Sequence, residues 1–330
     1  MHDLDFVVVE GNGIRLKLAM AGDGPLVIFS HGWPESWYSW RHQIPVIAGA
    51  GYRAVAYDVR GYGGSEKPYP IEAYTIKELA ADVIGIIDAL GYDEAILFGH
   101  DWGGPIALST AVLYPQRISA VGSLSVPHTG RGPRPALDLW RTVYRDQFFY
   151  QLYFLKQGIA EQEFEQNLQR SLYLTYCNFD GRGVTANSSH RSHDLEPVKR
   201  SDARFLTGMY EPESYPDWLA PDDLTYLVGQ FESSGLRGPL NRYRAQTIDW
   251  YQLPQLSQPL EQPACFITGV LDPVNAFLFH GAPARARIEK HYHDLVLFEL
   301  LEDVGHWTQQ EAPTAVNALL LKFLESVGAK

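Results

Sequence analysis

The sequence predicts an α/β protein, a mostly parallel sheet with helices on both faces and one long helical insertion. Three observations carry this. Short apolar runs at residues 26–30, 53–57, 96–99 and 120–126 alternate with helix-like patterns, the signature of strand–helix–strand units. From about residue 128 to about 259 strand candidates become scarce and helical periodicity dominates. The strand–helix pattern then returns at 264–268 and 296–300, so the insertion divides a single sheet protein into 1–128, 129–259 and 260–330.

In order, residues 6–10 and 14–19 flank Gly11-Asn12-Gly13, a hairpin turn signal. The run 26–30 empties into His31-Gly32-Trp33-Pro34. Residues 40–50 have helical spacing and stop at Gly51. The run 53–57 leads to Gly61-Tyr62-Gly63-Gly64-Ser65, and 76–90 is an amphipathic helix ended by Gly91. Within the insertion, 161–177, 222–234 and 239–251 read as helices, and the polar, aperiodic stretch 178–202 reads as a long loop. A terminal helix over 314–327 places Val316, Leu319, Leu320, Phe323 and Val327 on one face.

The bulk numbers narrow the function classes. A net charge of −12 repels nucleic acid and anionic membranes, so neither partner is expected. No apolar run approaches the ~18 residues a membrane span needs. The acidic start Met1-His2-Asp3-Leu4-Asp5 lacks a basic region followed by an apolar stretch, so no signal peptide is expected. Two distant cysteines, Cys177 and Cys265, form no disulfide framework or zinc pattern and suit a reducing, cytoplasmic compartment. Aromatic residues make up 13%, enough to line an apolar pocket with polar handles.

The chemistry centres on Gly99-His100-Asp101-Trp102-Gly103. Small residues flank one central side chain where a strand must turn sharply into a helix, which is the geometry of a nucleophile elbow with aspartate in place of serine. Reactive groups in open α/β sheets gather at the carboxyl ends of strands. Asp272 and His306 fall at such ends, giving the order nucleophile, acid, histidine. A carboxylate at 101 can displace a leaving group from saturated carbon and become an ester of the protein. His306 then activates a water against the Asp101 carboxyl carbon, and Asp272 orients the imidazole. The backbone N–H groups of Trp33 and Trp102 are the candidate oxyanion donors. Asp303 competes with Asp272 but ranks below it, and His31 and His100 suit structural hydrogen bonding beside glycine-rich turns.

Together these segments resemble the soluble epoxide hydrolases of the α/β-hydrolase superfamily over nearly the whole chain. His31-Gly32-Trp33-Pro34 is similar to the family's oxyanion loop, Gly61–Ser65 to its glycine-rich loop, Gly99–Gly103 to its aspartate elbow, and Gly305-His306-Trp307-Thr308 to its histidine loop. The resemblance implies an α/β-hydrolase fold with a mostly parallel eight-stranded sheet and a helical cap. It implies an ether-bond hydrolase that turns epoxides into vicinal diols, without cofactor or metal. It also implies a cis Trp33–Pro34 bond and two cap tyrosines that protonate the epoxide oxygen. Tyr150 and Tyr243 stand in those contexts, with Tyr153 and then Tyr144 as competitors for the first. Trp33, Pro34, Trp102 and Tyr153 are the expected pocket walls, around a small apolar epoxide and a water. A homodimer stays open.

Two rival functions are weaker. A dehalogenase would use the same aspartate and histidine, but asparagine is often found where this chain has Trp33, or arginine where it has Trp102. A ligand receptor on the same fold would need an incomplete triad, and every member is present.

Overall fold

The computed structural model describes residues 4–193, 199–275 and 284–328, with 188–193 described by backbone alone. Its centre is an eight-stranded sheet in the order β1-β2-β4-β3-β5-β6-β7-β8. The strands are β1 (Asp5–Gly11), β2 (Ile14–Ala21), β3 (Leu26–Ser30), β4 (Arg53–Tyr57), β5 (Ala95–His100), β6 (Ile118–Leu124), β7 (Leu260–Gly269) and β8 (Tyr292–Leu301). β1 pairs β2 and β2 pairs β4 antiparallel, while the pairs from β4 through β8 are parallel. β3 and β5 are buried along their whole length, as strands covered on both faces must be.

The helices α1 (Ile44–Gly49), α2 (Ile76–Ala89) and α3 (Gly103–Leu113) belong to the strand–helix alternation. α2 buries Ile76, Leu79, Val83, Ile86 and Ile87, the stripe its periodicity predicts. The terminal helix Pro313–Ser326 buries Val316, Leu320, Phe323 and Leu324. Leu319 and Val327, expected on the same face, are partly buried against that core.

Between β6 and β7 the chain carries α4 (Ala136–Val143), α5 (Tyr150–Phe154), α6 (Ile159–Glu165), α7 (Leu168–Phe179), α8 (Gly181–His193), α9 (Pro221–Ser234) and α10 (Arg237–Gln252). This segment is tied onto the sheet's loops. Tyr38 Oη donates to Asp223 Oδ1 at 2.8 Å, and the Tyr176 hydroxyl donates to the Pro34 carbonyl. From α10, Asp249 Oδ1 accepts the Ile76 N–H at 2.7 Å, so it satisfies an otherwise free donor at the start of α2. Arg242 pairs with Asp249 inside this joint.

Two expectations are corrected. The stretch 178–202 is not one long loop, because Gly181–His193 is helical. Asp180 begins that helix, its Oδ1 accepting the Gly183 N–H at 2.7 Å, and an aspartate cap serves a polar sequence without an apolar stripe. Residues 194–198 of the expected loop, like 1–3 of the acidic N-terminus, lie outside the described residues. The expected helix 161–177 is two helices, because Asn167 caps a new start by accepting the Arg170 N–H at 3.1 Å. Among the described residues no helix is long and apolar enough to cross a membrane.

Candidate active site

Five strand ends supply the site. β5 turns into α3 at Asp101, which adopts φ 48°, a conformation that side-chain-bearing residues seldom take. The flanking glycines are required by contact. A Cβ on Gly99 would lie 2.0 Å from the Gly103 carbonyl oxygen, and one on Gly103 would lie 2.0 Å from that of Ser30. The loop after β3 brings the Trp33 N–H to Asp101 Oδ1 at 2.7 Å, with the Trp33–Pro34 bond cis. A side chain on Gly32 would overlap the Asp101 carboxylate.

The loop after β8 places His306 Nε2 3.7 Å from Asp101 Oδ2. On the far side of the ring, Nδ1 is 3.1 Å from Asp272 Oδ1, at the end of β7. Asp303, the competing acid, is exposed. Ser125, after β6, went unnoticed in the sequence. It has φ 70°, its Oγ donates to Asp272 Oδ2 at 2.5 Å, and it stands 3.1 Å from His306 Nδ1. Thr268 Oγ1 at 3.3 Å and the Val274 N–H at 2.9 Å complete the shell around Asp272.

Charge and burial set the protonation states. Burial works against a charged His306, but Asp272 and Asp101 outweigh it and raise its pKa well above the usual imidazole value. Burial also opposes the Asp272 anion, yet His306, Ser125 and the Val274 N–H hold its pKa below the ordinary range. Burial, reinforced by the Asp101 charge, pushes the phenols of Tyr150 and Tyr243 up, so both keep their protons.

A cavity of about 450 Å³, partly open to solvent, joins these groups. Asp101, His306, Tyr150 and Tyr243 face it, with Trp33, Phe179, Phe205, Pro273, Val274 and Trp307 as apolar walls. The Tyr150 and Tyr243 ring centroids are 5.9 Å apart. Of these walls, Phe179 and Phe205 carried no sequence signal beyond hydrophobicity.

Three expected wall residues lie elsewhere. Tyr153 is captured by Glu163, to which its hydroxyl donates at 2.6 Å. Pro34 is not among the lining residues, and its carbonyl accepts from the Tyr176 hydroxyl. The Trp102 indole lines a smaller void behind the elbow with His31, Arg60, Tyr62 and Arg242, and the Arg242 guanidinium lies 4.8 Å over its ring. Trp102 is the cap residue immediately before α3.

His31 and His100 are both buried and hydrogen-bonded through each ring nitrogen. His31 Nε2 accepts the Val59 N–H at 3.0 Å, so Nδ1 carries the proton shared with the Gly32 carbonyl at 2.9 Å. His100 links Glu35 Oε2, at 2.8 Å, to the His306 carbonyl, at 2.7 Å. Burial works against the Glu35 anion, but His100 and the Gly32 N–H keep its pKa below the usual carboxylate value. Gln309 and Gln310 both donate to Glu35 Oε1 at 3.1 Å. Among the described residues no cluster suited to a metal ion is present.

Fold and site define a hydrolase of the α/β-hydrolase class, and the model of the alpha/beta hydrolase fold family matches residues 25–313. The chain is 37% identical over 320 residues to Epoxide hydrolase A of Mycobacterium tuberculosis, covering 96% of both. It is 40% identical over 329 residues to Epoxide hydrolase B of the same organism, covering 91% of both. Among solved structures it matches Epoxide Hydrolase A from Mycobacterium thermoresistibile with TM-score 0.90 and 38% identity, over 98% of each chain. An epoxide hydrolase from an endophytic Streptomyces matches with TM-score 0.91 and 40% identity, over 98% of this chain and 96% of that one. The chain belongs to the epoxide hydrolase family.

Proposed function

We propose that this enzyme hydrolyses epoxides to vicinal diols through an ester on Asp101. The observation that carries the reading is the shared cavity, where one carboxylate, one imidazole and two protonated phenols face the same apolar space. Asp101 Oδ2 attacks an epoxide carbon, that carbon's bond to oxygen breaks, and Tyr150 or Tyr243 gives its proton to the departing oxygen. Proton transfer from the His306 imidazolium restores the phenol. Esterification also removes the Asp101 charge, one of the groups that raises His306. Having given up its proton to the phenol, the imidazole can serve as a base in the second half.

In the second half, His306 Nε2 takes a proton from water and the hydroxide adds to the Asp101 carboxyl carbon. The N–H groups of Trp33 and Trp102 hold the resulting oxyanion, each such donor worth ~10²–10³ in rate. Collapse breaks the bond from the carboxyl carbon to the substrate oxygen, which leaves as the diol with a proton from His306, and the proton left on the Asp101 carboxyl passes to His306 to restore the carboxylate and the imidazolium. Asp272, backed by Ser125, holds the ring throughout.

In this reading residues 129–259 are a cap that supplies the two phenols, and 1–128 with 260–330 are the core that supplies the triad. The aromatic walls suit an aryl- or alkyl-substituted epoxide, and a cytoplasmic setting suits the buried, unpaired Cys177 and Cys265. A single turnover in ¹⁸O-water tests the route. Label entering an Asp101 carboxyl oxygen first supports it, and label found only in the first-turnover diol rejects it.

A further inference from the structure

The His306 loop is gripped by a residue that the mechanism above does not use. Glu311 ends the short helix Thr308–Glu311 and is partly buried beneath the loop. Its carboxylate accepts three main-chain N–H groups. Oε2 takes those of Gly305 and Gly181, each at 2.9 Å, and Oε1 takes that of Trp307 at 2.8 Å. Gly305 and Trp307 flank His306 in the chain, and Gly181 is the first residue of α8.

The same seam is closed by further contacts. The His306 N–H donates to the Phe179 carbonyl at 2.8 Å, and the Trp307 indole N–H donates to the Tyr176 carbonyl at 2.7 Å. The two backbones touch directly, since a Cβ on Gly181 would lie 2.4 Å from the Asp303 carbonyl oxygen and one on Gly305 would lie 2.4 Å from Gly181 N. The junction of α7 with α8 and the loop bearing the imidazole are thus one packed unit with the Glu311 carboxylate at its centre. Burial pushes this acid up to about 7, against the three N–H groups that favour its anion and with Asp180 adding to the rise. Bonds from N–H groups to a carboxylate are the strong kind, about twice a neutral pair.

We infer that Glu311 is a positioning residue for the hydrolytic half of the reaction, fixing the main chain on both sides of His306 and tying it to α8 through Gly181. This rests on the roles given above to Asp101 and His306. The alkylating groups are anchored separately. Asp101 is held by the β5 elbow and the Trp33 N–H, Tyr150 stands on α5 and Tyr243 on α10. Loss of the grip moves the base and leaves the nucleophile and the phenols in place.

The test is single-turnover kinetics on Glu311→Gln and Glu311→Ala with an aryl epoxide, following ester formation and ester decay separately. A glutamine carbonyl keeps part of the grip, while its NH₂ faces an N–H donor. Alkylation is expected within about twofold of wild type, and hydrolysis slowed ~10-fold in Gln and ~10²-fold in Ala, the scale of a base displaced by about 1 Å. Amide hydrogen exchange at Gly181, Gly305 and Trp307 is expected to quicken in both. Equal slowing of both steps, or unchanged hydrolysis in the folded Gln variant, overturns the inference. If wild type forms no ester, the reading of Asp101 fails instead. Exchange at the three amides then decides alone, and unchanged protection overturns the grip.

Discussion

The Trp33 main-chain N–H donates to Asp101 Oδ1 at 2.7 Å, while Asp101 Oδ2 lies toward His306 Nε2 at 3.7 Å. The two carboxylate oxygens are therefore already different before substrate arrives. In the proposed reaction Oδ1 rests on a donor suited to the later oxyanion, and Oδ2 is the oxygen left to attack carbon. A group set in its reacting position by the fold needs no rearrangement at the moment of reaction.

Replacing the base separates the two halves. His306→Gln is expected to accumulate a covalent adduct whose added mass equals the epoxide, with turnover reduced ~10²–10⁴-fold. Intact-mass spectrometry after mixing reads this directly. A variant that stays unmodified would count against His306 as the hydrolytic base.

In the proposed reaction the phenols act on the first half. Tyr150→Phe and Tyr243→Phe should each slow alkylation ~10-fold or more, since the partner hydroxyl can still donate, and the double variant should stop it. Melting temperatures should change little, because Phe fills the same space. Rapid-quench measurement of ester formation checks the rates.

Ser125 supports Asp272 from behind. Ser125→Ala and Ser125→Gly remove the 2.5 Å bond to Asp272, so both are expected to lower kcat ~10-fold with little change in alkylation. The φ of 70° suits glycine, so the Gly variant should be the more stable of the two. A Gly variant with full activity would show that only the backbone conformation matters.

Arg242 and Asp249, both on α10, form a buried pair where that helix meets α2, and Asp249 also holds the Ile76 N–H. Arg242→Ala leaves Asp249 buried without its countercharge, and a loss of ~3–5 kcal/mol is expected. Denaturant unfolding measures it. Removing both partners should cost less than the sum of the single changes.

Glu311 links stability to pH. Its folded pKa of about 7 lies above the ordinary 4.5, so the folded protein holds this proton more tightly than the unfolded chain. The resulting contribution is full below 4.5 and is lost as pH climbs toward 7, on the order of 3 kcal/mol in total. Glu311→Gln cannot titrate there, so it should gain on wild type across that window in paired unfolding curves. A gap that does not change with pH would remove Glu311 as a source of the slope.

The strands and the elbow were legible because their signals are local. A run such as residues 26–30 is apolar whatever surrounds it, and glycines at 99 and 103 mark a turn that admits no side chain. The break at Asn167 was hidden because the 3.6-residue period continues across it. The helix Gly181–His193 was hidden for the opposite reason, having too few apolar residues to show a period. Tyr153 was misplaced because nothing nearby in sequence reveals that Glu163 is within reach of its hydroxyl. Ser125 depends on Asp272 and His306, far along the chain, and nothing near Glu311 in sequence reveals that its carboxylate also reaches Gly181.

The order in which the sheet is assembled has a consequence for the nascent protein. β7 and β8, which bring Asp272 and His306, dock on β6 only after the intervening helices have been synthesised. Asp101, just after β5, thus precedes in the chain both groups that the proposed reaction needs to release its product. In that reaction an ester on Asp101 has no route to discharge without the His306 imidazole, so the strands that complete the sheet also complete the catalytic cycle.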